Sequence, residues 1–142
     1  MTKLETSVFI KAPVEKVWDY FSNPMNAPEW ENFVLEVKDV KGEGVGRTFK
    51  IIGKLLGIRV EMECTWLEVV PQKKLVERTK GGAELTATWN LAPENDGSRL
   101  SISGEYTISV PFLRKFADKL IVKQVQREVE SSLQTLKAIL EG

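Results

Sequence analysis

The chain contains no histidine. That removes Ser-His-Asp and Cys-His nucleophilic machinery, the usual zinc sites and the commonest general base. Acid–base chemistry would fall to Asp, Glu, Lys, Arg, Tyr or ordered water, and the absence weighs against an enzyme. A single cysteine, Cys64, excludes an intramolecular disulfide and suits a reducing compartment. Net charge is missing too: 20 basic and 20 acidic side chains cancel, so charge gives no reason to expect nucleic acid as a partner. Long hydrophobic runs are absent. The densest, Ile51-Ile52-Gly53-Lys54-Leu55-Leu56-Gly57-Ile58, falls far short of the ~20 residues of a membrane span and carries a lysine. The opening Met1-Thr2-Lys3-Leu4-Glu5 lacks the apolar segment of a secretory signal. The expectation is a cytoplasmic protein without a transmembrane segment, its 142 residues forming one domain, 1–142, with a real core.

What is present is a change of period along the chain. Residues 3–11 alternate loosely and end at Ala12-Pro13, where proline fits a helix start because its missing donor is harmless there. Val14, Val17, Trp18 and Phe21 then fall on one helical face. Asn23-Pro24 predicts a second short helix, ended by Pro28 before Trp30. From Phe33 the period becomes two, with Phe33, Leu35 and Val37 sharing a face and Gly42-Glu43-Gly44 turning the chain. Val60, Met62, Cys64 and Trp66 alternate with Glu61, Glu63 and Thr65, the pattern of a half-buried strand. A strand from Leu75 to Thr79 sits between turns at Pro71-Gln72 and Gly81-Gly82. Leu85, Ala87, Trp89 and Leu91 repeat the alternation, and Asp96-Gly97 signals a hairpin. Leu100, Ile102, Gly104, Tyr106 and Ile108 share the next face, and a long amphipathic helix runs from roughly Phe112 to Leu140.

In this order the chain resembles the START-related, birch-pollen-allergen-like (SRPBCC) superfamily, in particular its polyketide cyclase/dehydrase-type members. The residues that carry the resemblance are Ser7-Val8-Phe9-Ile10-Lys11-Ala12-Pro13-Val14-Glu15-Lys16-Val17-Trp18 and Pro28-Glu29-Trp30. Val45-Gly46, Trp66-Leu67-Glu68-Val69-Val70-Pro71 and Trp89-Asn90-Leu91-Ala92-Pro93 complete it. The resemblance implies an α+β helix-grip fold: a curved antiparallel sheet of about 6–7 strands around a long C-terminal helix, with two short helices after the first strand. It further implies a cavity between sheet and helix for a lipid, polyketide or similar apolar molecule. It brings no catalytic motif, cofactor or metal set.

The inward-facing candidates for that cavity are Phe49, Ile51, Val60, Met62, Cys64, Trp66, Leu85, Ala87, Trp89, Leu100, Ile102 and Tyr106. Phe112, Phe116, Leu120 and Ile121 would oppose them from the long helix, with Gln124 and Glu128 further along the same row. The same stripes describe an ordinary filled core equally well. Gly104 and Ala87 are small enough to leave space, although close strand packing would use them too. Glu128, Tyr106 and Arg78 are the polar candidates; Arg78 depends on a strand phase that its short segment does not fix. A carboxyl facing the cavity would serve as general acid or base, or orient a ligand hydroxyl. Cys64 reads as a small buried hydrophobe. Glu61 and Glu63 read as a solvated outer face.

Lys115, Lys119, Lys123 and Arg127 form a basic row on the long helix, each like-charge pair costing about 0.2–0.5 kcal/mol. The row is either a solvated face or a docking surface for an anionic membrane or acidic protein. Three functions follow: a carrier or sensor of a hydrophobic small molecule, a cyclase or dehydratase using Glu, Tyr and Arg, and an interaction protein docking through the basic row.

Overall fold

The computed structural model describes residues 2–55, 57–108 and 118–142. Strand β1 (Thr2–Ile10) leads into α1 (Val14–Phe21), a 3₁₀ turn (Pro24–Asn26) and α2 (Ala27–Trp30). Six strands follow in succession: β2 (Val34–Lys41), β3 (Thr48–Leu55), β4 (Ile58–Val70), β5 (Lys74–Gly81), β6 (Ala83–Glu94) and β7 (Gly97–Ile108). The last described element is α3 (Asp118–Glu141); the predicted helix start at Phe112 lies outside the described residues. All seven strands form one antiparallel curved sheet in the order β1-β7-β6-β5-β4-β3-β2, the expected helix-grip arrangement. No described helix is long and apolar enough to cross a membrane.

Alternation explains the sheet. On β4, Val60, Met62, Cys64 and Trp66 are buried while Glu61 and Glu63 are exposed, because every second side chain faces the concave side. β1 crosses to the far end of the meander and pairs with β7 from Thr2↔Tyr106 to Ile10↔Ser98. The buried Ser98 hydroxyl donates to the Ala12 carbonyl at 2.7 Å, pinning the corner where β1 turns into α1.

Three local expectations are corrected. Leu35 is 51 % exposed, because a register shift between Val34 and Glu36 turns Val34 inward in its place, while Val37 is buried as expected. Pro28 does not end a helix; it stands in the first turn of α2, where no backbone donor is required. Gly104 leaves no room for a guest. A Cβ there would come within 2.4 Å of the Thr86 carbonyl oxygen and 3.1 Å of Ala87 Cα, so the glycine serves the close approach of β7 to β6.

The long helix grips the sheet unevenly. Leu133, Leu136 and Leu140 are buried in the main core with Val8, Ile10, Val17 and Leu100. Polar bonds clamp the same half: Ser132 Oγ accepts from the Asn32 amide at 2.9 Å, and Asn32 Nδ2 donates to Ser131 Oγ at 2.6 Å. Lys137 Nζ donates to the Phe9 carbonyl at 2.7 Å, Lys16 Nζ to the Leu140 carbonyl at 2.9 Å, and the Lys11 amide to Glu141 Oε2 at 2.8 Å. Nearer its N-terminus, Val125 and Val129 are only half-buried and border open space. Leu136→Ala should therefore cost about 2–5 kcal/mol in urea unfolding. Val125→Ala, whose lost methyl groups already face a void, should cost less than about 1 kcal/mol. Equal costs would mean that the helix is packed evenly along its length.

A hollow with a carboxyl pair

Between the concave sheet and the N-terminal half of α3 lies a cavity of about 160 Å³, counted as the space open to the centre of a water molecule. One water needs roughly 10–15 Å³ on that measure, so the space takes a molecule of several heavy atoms. The walls are mainly apolar. Of the expected residues, Phe49, Ile51, Met62, Trp66, Leu85, Trp89, Ile102 and Tyr106 line it from the sheet, and Glu128 lines it from the helix.

Other expected residues sit elsewhere. Cys64, Ala87 and Leu100 are buried in the main core behind the lining, because their strand positions pack against solid structure instead of the void. Val60 and Ile121 pack together in a smaller cluster with Met62. Leu120 is 49 % exposed, since the row that faces inward on α3 runs through Ile121, Val125 and Val129. Gln124 does not line the cavity; its Nε2 donates to Glu128 Oε1 at 3.0 Å and orients that carboxyl. Arg78 is exposed, because Leu75, Glu77 and Thr79 take the inward phase of β5. Phe112, Phe116 and Lys115 lie outside the described residues. Lys119, Lys123 and Arg127 are exposed, and among the described residues none of them makes an ion pair.

The lining also contains two carboxyls that the pattern reading did not single out, Glu31 and Glu77. Glu77 follows from the phase of β5, two residues after buried Leu75. Glu31 is the residue after α2, where the helix has ended and no periodicity reports direction. Glu77 is held by donors on both oxygens: Trp89 Nε1 donates to Oε1 at 3.0 Å and Cys64 Sγ to Oε2 at 3.3 Å. The Glu31 carboxyl accepts no hydrogen bond among the described residues. Both side chains keep some accessible surface, and that surface faces the cavity.

Burial, and after it the charge of Glu77, pushes the Glu31 carboxyl up to about 8. Burial raises Glu77 as well, while its bonds from Trp89 and Cys64 act in the opposite direction. The two donors oppose that rise at Glu77 without reversing it, and Glu31, at about 8, keeps its proton at neutral pH. Burial also raises the Tyr106 phenol and, with Glu77 beside it, the Cys64 thiol, so Cys64 is no thiolate nucleophile. Two further polar atoms, Trp30 Nε1 and Trp66 Nε1, are buried without an acceptor. Among the described residues no three His, Cys, Asp or Glu side chains gather as a metal site. Chemically, the arrangement offers a protonated carboxyl, Glu31, beside a second carboxyl, Glu77, whose two oxygens are held by donors.

Linkage fixes the sign of the pH effect. Glu31 is raised from 4.5, so the folded state binds more protons than the unfolded state between about pH 4.5 and 8. Stability should fall as pH rises through that window, and thermal melts from pH 5 to pH 9 will show it. Glu31→Gln should flatten the upper part of the slope and leave the variant more stable than the parent at pH 9. A parent whose stability is constant or rises over this range would contradict the assignment.

The family described as "Polyketide cyclase / dehydrase and lipid transport" matches residues 1–141. No curated protein is matched. Among solved structures, a protein of Thermus thermophilus is similar at TM-score 0.82 and 22 % identity, covering 98 % of this chain and 97 % of that one. A START superfamily protein from Mycobacterium smegmatis has TM-score 0.82 at 12 % identity, with 98 % and 97 % covered. The Zhui aromatase/cyclase from a Streptomyces species has TM-score 0.81 at 12 % identity, with 99 % and 93 % covered. At these identities the likeness is one of fold.

Proposed function

The chain belongs to the polyketide cyclase/dehydrase and lipid-transport family, and from that premise we propose that it holds a hydrophobic small molecule between its sheet and α3. The fold supports apolar ligand binding or cyclase activity in general. The observation that carries the binding reading is the hollow itself, a space walled by Phe49, Ile51, Leu85, Ile102 and Trp66. At about 25 cal/mol per Å², covering roughly 300 Å² of apolar surface would yield about 7 kcal/mol before the losses of association. Micromolar binding is the reasonable net result.

A cyclase or dehydratase is the second reading, and the carboxyl pair favours it. Protonated Glu31 would act as general acid toward a ligand carbonyl or hydroxyl, and Glu77 as the base, in place of the Arg78 expected from sequence. One experiment separates the readings: native mass spectrometry of protein purified without detergent, followed by extraction of the bound molecule. A carrier returns its ligand unchanged after incubation, and a dehydratase returns it lighter by one water. Leu85→Trp, which grows into the cavity, should weaken binding about tenfold or more while the protein stays folded. No extracted ligand, and no thermal shift across a panel of lipids and polyketides, would contradict both.

A separate proposal concerns Lys119, Lys123 and Arg127, exposed beside exposed Leu120 on α3. Such a row suits contact with an anionic membrane surface. Lys119→Glu combined with Lys123→Glu should abolish sedimentation with anionic liposomes while changing stability by less than about 1 kcal/mol. Unchanged sedimentation would refute the contact.

A further inference from the structure

The cavity is apolar in bulk but acidic at one end, and no lysine or arginine stands among the described residues that line it. Glu31, Glu77 and Glu128 all reach it. A carboxylate enclosed in apolar walls without a cation is costly. Glu77 has two donors, but both are neutral, and an ionised carboxylate has capacity for more. Glu31 accepts no hydrogen bond among the described residues. The described lining thus brings these carboxyls no positive charge.

An independent feature lies at the same end. Phe21, Trp30 and Trp89 line the cavity and touch one another, with ring centroids 4.9 Å apart for Phe21–Trp89 and 6.0 Å apart for Phe21–Trp30 and Trp30–Trp89. The trio adjoins both carboxyls: Trp89 donates directly to Glu77, and Glu31 follows Trp30 in the chain. Clustered aromatic rings attract cations through their negative faces. Rings of this kind beside carboxyls form a receptor for an ammonium group. They suit a carboxylate or phosphate poorly, because no cation of the described lining would meet either anion.

We propose that the ligand of this cavity is an amphiphilic amine. Its protonated or methylated nitrogen is received by Glu77, Glu31 and the Phe21–Trp30–Trp89 trio, and its apolar body lies against Phe49, Leu85 and Ile102. The proposal rests on the container reading and narrows it to one ligand class. The charge that the guest brings supplies what Glu77 lacks, and a charge-assisted bond is about twice as strong as a neutral one.

The test is calorimetric titration at pH 7 with three probes of matched shape: 4-phenylbutylamine, 4-phenylbutanol and 4-phenylbutyrate. The amine should bind about tenfold or more tighter than the alcohol, and the carboxylate weakest of all. Glu77→Gln should bring the amine to within about threefold of the alcohol, the amine losing more affinity than the alcohol does. Phe21→Leu is the second variant should Glu77→Gln not fold, and by removing one ring of the trio it should narrow the same ratio. Equal binding of the three probes, preference for the carboxylate, or an amine preference untouched by both variants would overturn the amine while leaving an apolar container intact. Failure of all three probes to bind would overturn the container together with it.

Discussion

A seven-stranded curved sheet presents more concave surface than one helix covers, and the rest of the structure depends on how that mismatch is divided. It is divided along the helix. The C-terminal half of α3 is seated by Leu133, Leu136 and Leu140 and clamped by bonds to Phe9, Lys11, Lys16 and Asn32. With that end fixed, the opposite half stands over a space that its valines do not fill. Close-packed interiors leave few voids larger than a water, so a hollow of this size is a departure that the anchored end must sustain. The short helices close in from the same side, bringing Phe21, Trp30 and Glu31 to the cavity.

The hollow decides the chemistry of what faces it. A carboxyl on a strand's outer face, such as Glu61 or Glu63, stands exposed to water, and Glu61 also faces Lys38 at 3.8 Å. Glu31 and Glu77 stand at the edge of apolar space, where the charged form is disfavoured and two neighbouring charges more so. Trp89 and Cys64 ease one of the pair, and the other is left to hold a proton. This asymmetry is what lets one arrangement serve either a guest that brings positive charge or a reaction that needs an acid.

Much of the fold was legible in the residues because most strands bury one face. Val60-Met62-Cys64-Trp66 and Leu85-Ala87-Trp89-Leu91 alternate with polar partners and appear in the structure with that phase. The misreadings occur where local geometry breaks the period. The shift in β2 exchanges Leu35 for Val34, and the α3 inward row passes one residue beyond Leu120. The hairpin signal at Asp96-Gly97 was displaced by one: Asn95, at φ 51°, takes the positive-φ turn position, and Gly97 pairs with Glu94. A Cβ on Gly97 would come within 2.3 Å of the Ile10 carbonyl oxygen, so that glycine serves the approach of β1. The site was less legible than the fold. Hydrophobic patterning distinguishes inside from outside, but gives a filled core and a lined cavity the same stripe, so Cys64 and Met62 looked alike. It also reads acidic residues as surface, which hid Glu77 even though Leu75 and Thr79 carried its phase.

The central claim is that the hollow beneath α3 keeps a proton on Glu31 at neutral pH. Infrared difference spectroscopy of the unliganded protein at pH 7 tests it most directly, because a protonated carboxyl has its own C=O stretch, distinct from the carboxylate bands. The account predicts such a band in the parent protein and its loss in Glu31→Gln. A spectrum at pH 7 showing carboxylates alone would contradict it, since both groups would then be solvated as though the cavity were open water.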